Sequence, residues 1–307
     1  MILSLLLAVS GGFAMSVQSP TNTALSEYIG NFRATCVSFG GGLILLALIT
    51  LAFGTGDMTM LTQAEWWALL GGIYGASVVL IITFAAPVLG IALLLTIIMF
   101  GQIIMSALID AFGWFGTPTA IVTPLRIAGC IVVAIGILAV YQGRKTTRGG
   151  SHSTAARNRN LWCVMAFLGG CGGAIQSPTN LALAKVIGQL ESSTFNFLEG
   201  FLVIFIITVV IGRKLQPNAA VQGTRWWMYI GGLYGAFGIF ANILAMPALG
   251  ATLLTAAIML GQLGGGFLID TFGMLRAEKL PVDRWRTVGI ILILLGVILV
   301  TFAQSAA

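Results

Sequence analysis

Gln18 and Asn22 stand one helical turn apart, and Gln176 and Asn180 repeat them 158 residues later inside the same pentapeptide, Gln-Ser-Pro-Thr-Asn. Side chains at i and i+4 share a helix face, so each pair could present two amides, both donors and acceptors, to one polar solute without fixing the sign of its charge. The central proline, Pro20 or Pro178, frees a backbone carbonyl one turn earlier, which then needs another partner. Two outcomes fit this pattern. Either the amides line a cavity at a distorted membrane helix, or the proline ends the helix and the amides cap it at the interface.

Further polar residues interrupt otherwise apolar runs. Gln102, Ser106 and Asp110 form an i, i+4, i+8 stripe, and Gln262 and Asp270 repeat its two ends 160 residues later. Such a stripe on a membrane helix faces protein or water. Both aspartates end their helices, so an interfacial position is expected for them. Glu199 is placed differently, about two turns into a run that stays apolar through Ile211, with Asn196 three residues before it on the same face. A carboxylate there costs a few kcal/mol on insertion scales, which marks a candidate functional residue. It could also reach headgroup water, or be a neutral acid bonded across helices. No lysine or arginine is expected in an apolar core, so a bound cation or a proton would have to compensate its charge. Those two would compete for one site. The candidate substrate-binding set is therefore Gln18, Asn22, Gln102, Gln176, Asn180, Asn196, Glu199 and Gln262, with Glu199 also the candidate proton-coupling residue. The aligned positions in the first half are Ser38 for Asn196 and Gly41 for Glu199, so the acid has no symmetric mate.

Catalysis is not supported. The sole histidine, His152, lies in a polar stretch, and there is no phosphate loop, paired metal ligand or Ser/His or Cys/His set. No enzyme activity, cofactor or metal is expected. Cys36, Cys130, Cys163 and Cys171 all fall in apolar runs, where a thiol behaves as a small hydrophobe.

The elements that position these residues follow from composition. At 58% hydrophobic and 8% charged, the chain is not a water-soluble globule and implies a lipid bilayer. The net charge of +6 gathers around the 143–160 stretch, better explained as a solvated cytoplasmic linker than as a nucleic-acid surface. Apolar runs of spanning length predict helices over roughly 2–20, 34–53, 66–86, 88–109 and 124–142, then 161–179, 193–212, 226–246, 248–269 and 286–303. The halves are duplicates: Trp66-Trp67 and Gly71-Gly72-Ile73-Tyr74-Gly75 return as Trp226-Trp227 and Gly231-Gly232-Leu233-Tyr234-Gly235. The expected organisation is a first five-helix repeat over 1–142, the basic linker 143–160, and a second repeat over 161–307.

Five helices per repeat would make the second copy enter the membrane inverted. With the linker cytoplasmic, all 15 basic residues except Arg126 and Lys185 fall on the cytoplasmic side, which puts both termini outside. Gly129 and Gly136, and Gly289 and Gly296, lie seven apart on the fifth and tenth helices. Each pair marks a packing face and a possible homodimer contact through those helices.

The duplicated five-helix pattern, the Gln-x-x-x-Asn element ending each first helix, Ser38-Phe39-Gly40-Gly41-Gly42 and the Trp-Trp-x-x-x-Gly-Gly-x-Tyr-Gly segments together resemble a fused YdcZ-like member of the drug/metabolite transporter superfamily. The resemblance covers essentially the whole chain. It implies an inner-membrane protein whose shorter relatives are unfused five-helix subunits assembling in opposite orientations, with the first four helices of each repeat around a central path and the fifth peripheral. Small multidrug exporters elsewhere in the superfamily use a glutamate in the first helix. Neither first helix here carries one in its apolar core, so Glu199 does not inherit that role by position. The expected fold is thus an all-α polytopic membrane protein of ten transmembrane helices in two inverted five-helix repeats. The expected function is secondary transport of a small polar or cationic solute by alternating access, proton-coupled through Glu199. The alternative is a non-transporting membrane receptor or assembly module.

Overall fold

In a computed structural model the described residues are 1–89, 91–119, 121, 123–148, 159–212, 223–276 and 283–305. Among them the chain forms α-helices and short helical turns, without strands. The α-helices are α1 Ile2–Ile29, α2 Asn31–Phe53, α3 Gly71–Leu89, α4 Ile91–Phe112, α5 Pro124–Arg148, α6 Arg159–Ile187, α7 Gln189–Ile207, α8 Gly231–Phe272 and α9 Arg284–Ser305. Among the described residues, 7 helical stretches are long and apolar enough to cross a membrane. The longest, Trp226–Ile269, has 44 residues. At 1.5 Å per residue it measures about 66 Å, twice the roughly 30 Å of a hydrocarbon core. These features make the chain a helical, polytopic membrane protein.

The first helix of each half departs from its expected end. Neither Pro20 nor Pro178 stops its helix: α1 continues to Ile29 and α6 to Ile187, with each proline inside. A proline in a helix interior costs about 3 kcal/mol, so something downstream must outweigh it. In α1 the residues beyond it, Thr21, Ala24, Leu25 and Ile29, are buried at helical spacing, and the last three pack with Ala34 and Met228. Most of a helix's stability comes from such a packed face. The chain turns instead at Gly30 (φ 84, ψ 156) and Gly188 (φ 105, ψ 158), where a side chain would be strained.

The third helix of each half opens as a 3₁₀ turn, Trp66–Leu70 or Trp226–Ile230, before becoming α-helical at Gly71 or Gly231. In the second half the expected break at Pro247 is absent. Pro247 lies inside α8, and the backbone breaks three residues later at Gly250 (φ 69, ψ 175). Proline's fixed φ is compatible with helix, whereas that backbone geometry is open to glycine. The corresponding Gly90 lies outside the described residues.

Repetition extends to backbone strain, since Phe115 (φ 60) and Leu275 (φ 56), 160 apart, both sit in the left-handed region. Equivalent helices also meet one another. A Cβ on Gly42 would press the Phe197 ring and one on Gly200 the Phe39 ring, so α2 and α7 cross antiparallel. Cβ atoms on Gly129 and Gly136 would sit 3.1 Å and 2.7 Å from the carbonyls of Gly296 and Gly289, so α5 and α9 are antiparallel as well. The glycine faces expected to serve a homodimer are thus occupied within one chain, because bare backbone lets these two helices approach closely. What α5 leaves outward is apolar: Ile127, Ile131, Ile135 and Leu138 are exposed. Most of the basic linker, residues 149–158, lies outside the described residues. Its first residues continue α5 to Arg148.

Candidate functional site

The second Gln-Ser-Pro-Thr-Asn segment builds a connected amide cluster. Because α6 stays helical through Pro178, Gln176 and Asn180 project from one face onto α7. Asn196 Nδ2 donates to Asn180 Oδ1 at 2.8 Å, and Gln176 Nε2 donates to Asn196 Oδ1 at 3.5 Å. Ser192 Oγ fixes the backbone by donating to the Asn180 carbonyl at 2.8 Å. Asn180 and Asn196 are buried. The floor beneath them belongs to the other half: a Cβ on Gly71 would collide with the Asn180 amide, and one on Gly75 would lie 2.6 Å from Gln176 Nε2. The Gly-Gly-x-Tyr-Gly segment of α3 is therefore bare backbone because amides of the second half rest on it.

The first half mirrors this arrangement with fewer bonds. Gln18 Nε2 donates to Ser38 Oγ at 3.3 Å, and the two face Gly235 and Gly231 of α8. Asn22 Oδ1 is buried against Gly231 without a hydrogen-bond partner. Ser38 is too short to reach across as Asn196 does, which is the structural consequence of the sequence difference between the halves.

The remaining candidates extend the same two clusters. Gln262 Nε2 contacts Met15 Sδ at 3.4 Å, one turn from Gln18, and Gln102 Nε2 lies beside Gly173, one turn from Gln176. Each cluster thus draws its first two helices from one half and its next two from the other. Glu199 is half-buried and accepts the Gly72 N–H at 3.0 Å, and a Cβ on Gly72 would meet the Glu199 stem at 2.6 Å. It shares the glycine floor with Asn180 and Asn196, so the second cluster alone carries an acid. Between the clusters Phe39 and Phe197 pack on each other, ring centroids 5.6 Å apart. All eight candidates therefore fall on the interface between the halves, in two groups flanking an aromatic pair. In the second cluster the amides bind one another, and a polar solute entering there would have to replace those bonds.

Asp110 is not interfacial as its helix-end position suggested. It is 1% exposed and pairs with Arg126 Nη2 from the start of α5. It also accepts the N–H groups of Ala251 and Thr252, each at 2.7 Å. The break at Gly250 leaves α8's second rod with unsatisfied donors, and a carboxylate at a helix N-terminus meets them. An arginine is therefore buried at the head of α5, contrary to expectation. Arg286, 160 residues on, is buried too, with its guanidinium 5.1 Å from the Phe267 ring centre. Asp270's side chain lies outside the described residues. The available signal was the recurrence of both acid and base at one offset. Glu191, in the first turn of α7, is likewise buried and accepts the Gly56 N–H of the other half at 2.8 Å. Outside the helices, the Thr59 hydroxyl and N–H donate to Asp57 and hold its carboxyl below the usual range.

A duplicated helical membrane protein whose halves interlock around paired polar clusters has the construction of a membrane transporter. The model of the family described as "Putative inner membrane exporter, YdcZ" matches residues 3–139 and again 161–299, and the chain belongs to that family as a two-repeat member. Inner membrane protein YdcZ of Escherichia coli (strain K12) is 28% identical over 127 residues, which span 41% of this chain and 83% of that protein. A solved crystal structure shares the fold over 100% of this chain and 99% of its own, with a TM-score of 0.77 at 14% identity.

Proposed function

We propose that the chain is a secondary transporter that exports a small polar or cationic solute across the inner membrane by alternating access. Its path would run along the interface where each half seats its amides on the other's glycines. That reciprocal seating is the observation that carries the reading. Two rigid halves sharing one interface can rock against each other, and the groups exposed by rocking would be Gln18, Asn22, Gln176, Asn180, Asn196 and Glu199. The family's description as an exporter supports the direction.

The architecture we infer has ten transmembrane helices, counting α8 as two rods about Gly250. They form inverted repeats over 1–142 and 161–307, joined by a cytoplasmic linker at 143–160, with both termini outside. The antiparallel pairing of α2 with α7 and of α5 with α9 supports the inversion, and the distribution of basic residues supports the orientation. A homodimer through the fifth and tenth helices would use their outward faces, since their glycine faces pack on each other within one chain.

Glu199 is the coupling residue in this reading. Its carboxylate meets one backbone donor, leaving lone pairs for a proton or a cationic head. Export would release the substrate as the acid takes up a proton from the outside. The test is reconstitution into liposomes with an imposed pH gradient, screening amine-bearing and neutral polar metabolites by solid-supported-membrane currents. Transient currents for at least one class are expected. Silence across the panel, with ligand binding by thermal shift intact, would favour a receptor.

A further inference from the structure

On the outer face of the helices, away from the amide clusters, α1, α8 and α9 enclose an apolar groove. One part, a cavity of about 430 Å³, is bounded by Phe13, Gly264, Gly265, Thr287 and Ile291. A second, of about 190 Å³, shares Val9 and Leu260 with it and reaches Phe302. From Thr287 to Phe302 along α9 the groove runs about 22 Å at 1.5 Å per residue. Its two hydroxyls have their protons engaged one turn earlier, since Thr287 Oγ1 donates to the Asp283 carbonyl at 3.1 Å and Thr301 Oγ1 to the Val297 carbonyl at 2.7 Å.

The two halves differ here in two independent ways. Where the second half has Gly264 and Gly265, the first has Ile104 and Met105, so the groove is opened by missing side chains; nothing lies within 4 Å of a Cβ placed on Gly264. Where the first half has Pro124, the second has Arg284, exposed one turn before the groove-lining Thr287 and with its guanidinium 5.7 Å from the Trp285 ring centre. Arg284 heads a stripe through Thr287, Ile291, Leu294 and Ile298 at alternating spacings of three and four, one face of α9. An apolar trough ending at a cation beside an interfacial tryptophan complements a molecule with an acyl chain and an anionic head.

We propose that this groove is a binding site for one anionic phospholipid of the surrounding bilayer, with an acyl chain along α9 over Gly264 and the phosphate at Arg284. The full chain, purified in mild detergent, is titrated with phosphatidylglycerol or phosphatidylcholine of identical acyl chains, and bound lipid is counted by native mass spectrometry. One phosphatidylglycerol retained per chain is expected, at least fivefold tighter than phosphatidylcholine. Gly264→Leu, which fills the trough, should weaken both lipids at least tenfold, and Arg284→Gln should erase the headgroup preference while leaving acyl binding. If Gly264→Leu does not yield folded protein, Ile291→Phe blocks the same trough from its exposed side. Unchanged retention in the trough variant that folds, or a headgroup preference that survives Arg284→Gln, would overturn the proposal.

Discussion

Phe39 and Phe197, equivalent residues of the two halves, pack against each other with ring centroids 5.6 Å apart. Equivalent residues in mutual contact place the relation between the halves between them, and each ring rests in a notch left by a glycine of the opposite helix, Gly200 or Gly42. Overpacking such a contact costs roughly 1–3 kcal/mol. Gly42→Ala and Gly200→Ala should therefore each lower the unfolding temperature in detergent, and by similar amounts. A large loss for one and none for the other would show that the notches are not equivalent.

Asp110 joins the end of α4, the head of α5 and the second rod of α8. Removing one partner of a buried ion pair costs on the order of 3–5 kcal/mol. Asp110→Ala should accordingly be among the most destabilising single changes in the chain. Asp110→Ala with Arg126→Leu should recover part of the loss, because the stranded guanidinium is gone while the Ala251 and Thr252 donors remain. Thermal unfolding of the three proteins measures this, and no recovery in the double variant would assign the loss to helix capping alone.

The amide clusters differ in how fully they are bonded. Asn180→Ala strands the Asn196 donor in a buried place, a penalty of about 1–3 kcal/mol, whereas the Asn22 Oδ1 has no partner to strand. Asn180→Ala should be less stable than Asn22→Ala, although both should transport more slowly. Equal stabilities would indicate that the Asn196 amide finds another partner.

Orientation is tested by thiol labelling. Met58, exposed in the turn between α2 and α3, is expected outside, and Ser151 in the linker inside. Met58→Cys and Ser151→Cys should react with an impermeant reagent from opposite faces of the membrane. Reaction from the same face would contradict the inverted arrangement.

Much of this was legible in the sequence because duplication leaves letters behind. The repeated Gln-Ser-Pro-Thr-Asn and Gly-Gly-x-Tyr-Gly segments pointed to the two surfaces that meet, although nothing in the letters said that each half's amides rest on the other half's glycines. Proline was an ambiguous signal. Pro20 and Pro178 fitted either a distorted helix or a helix end and Pro247 read as a break, yet buried residues beyond Pro20 and Pro178 carry those helices onward, and Gly250 rather than Pro247 takes the broken geometry. Asp110 was misplaced because position on a helix predicts exposure poorly when a turn folds Arg126 back over it. The pairing of Gly129 with Gly296 within one chain was likewise hidden, since a small-residue face does not name its partner.

The most direct test of the account concerns Glu199, compared in gradient-driven transport and in substrate exchange without a gradient, using the solute found in the current screen. Glu199→Gln keeps an acceptor for the Gly72 N–H but removes the exchangeable charge. The account predicts that the variant still exchanges substrate across the liposome membrane but no longer accumulates it against a gradient when a pH difference is imposed. Undiminished pH-driven accumulation in Glu199→Gln would contradict it, leaving Glu199 as no more than the acceptor that holds the start of α3.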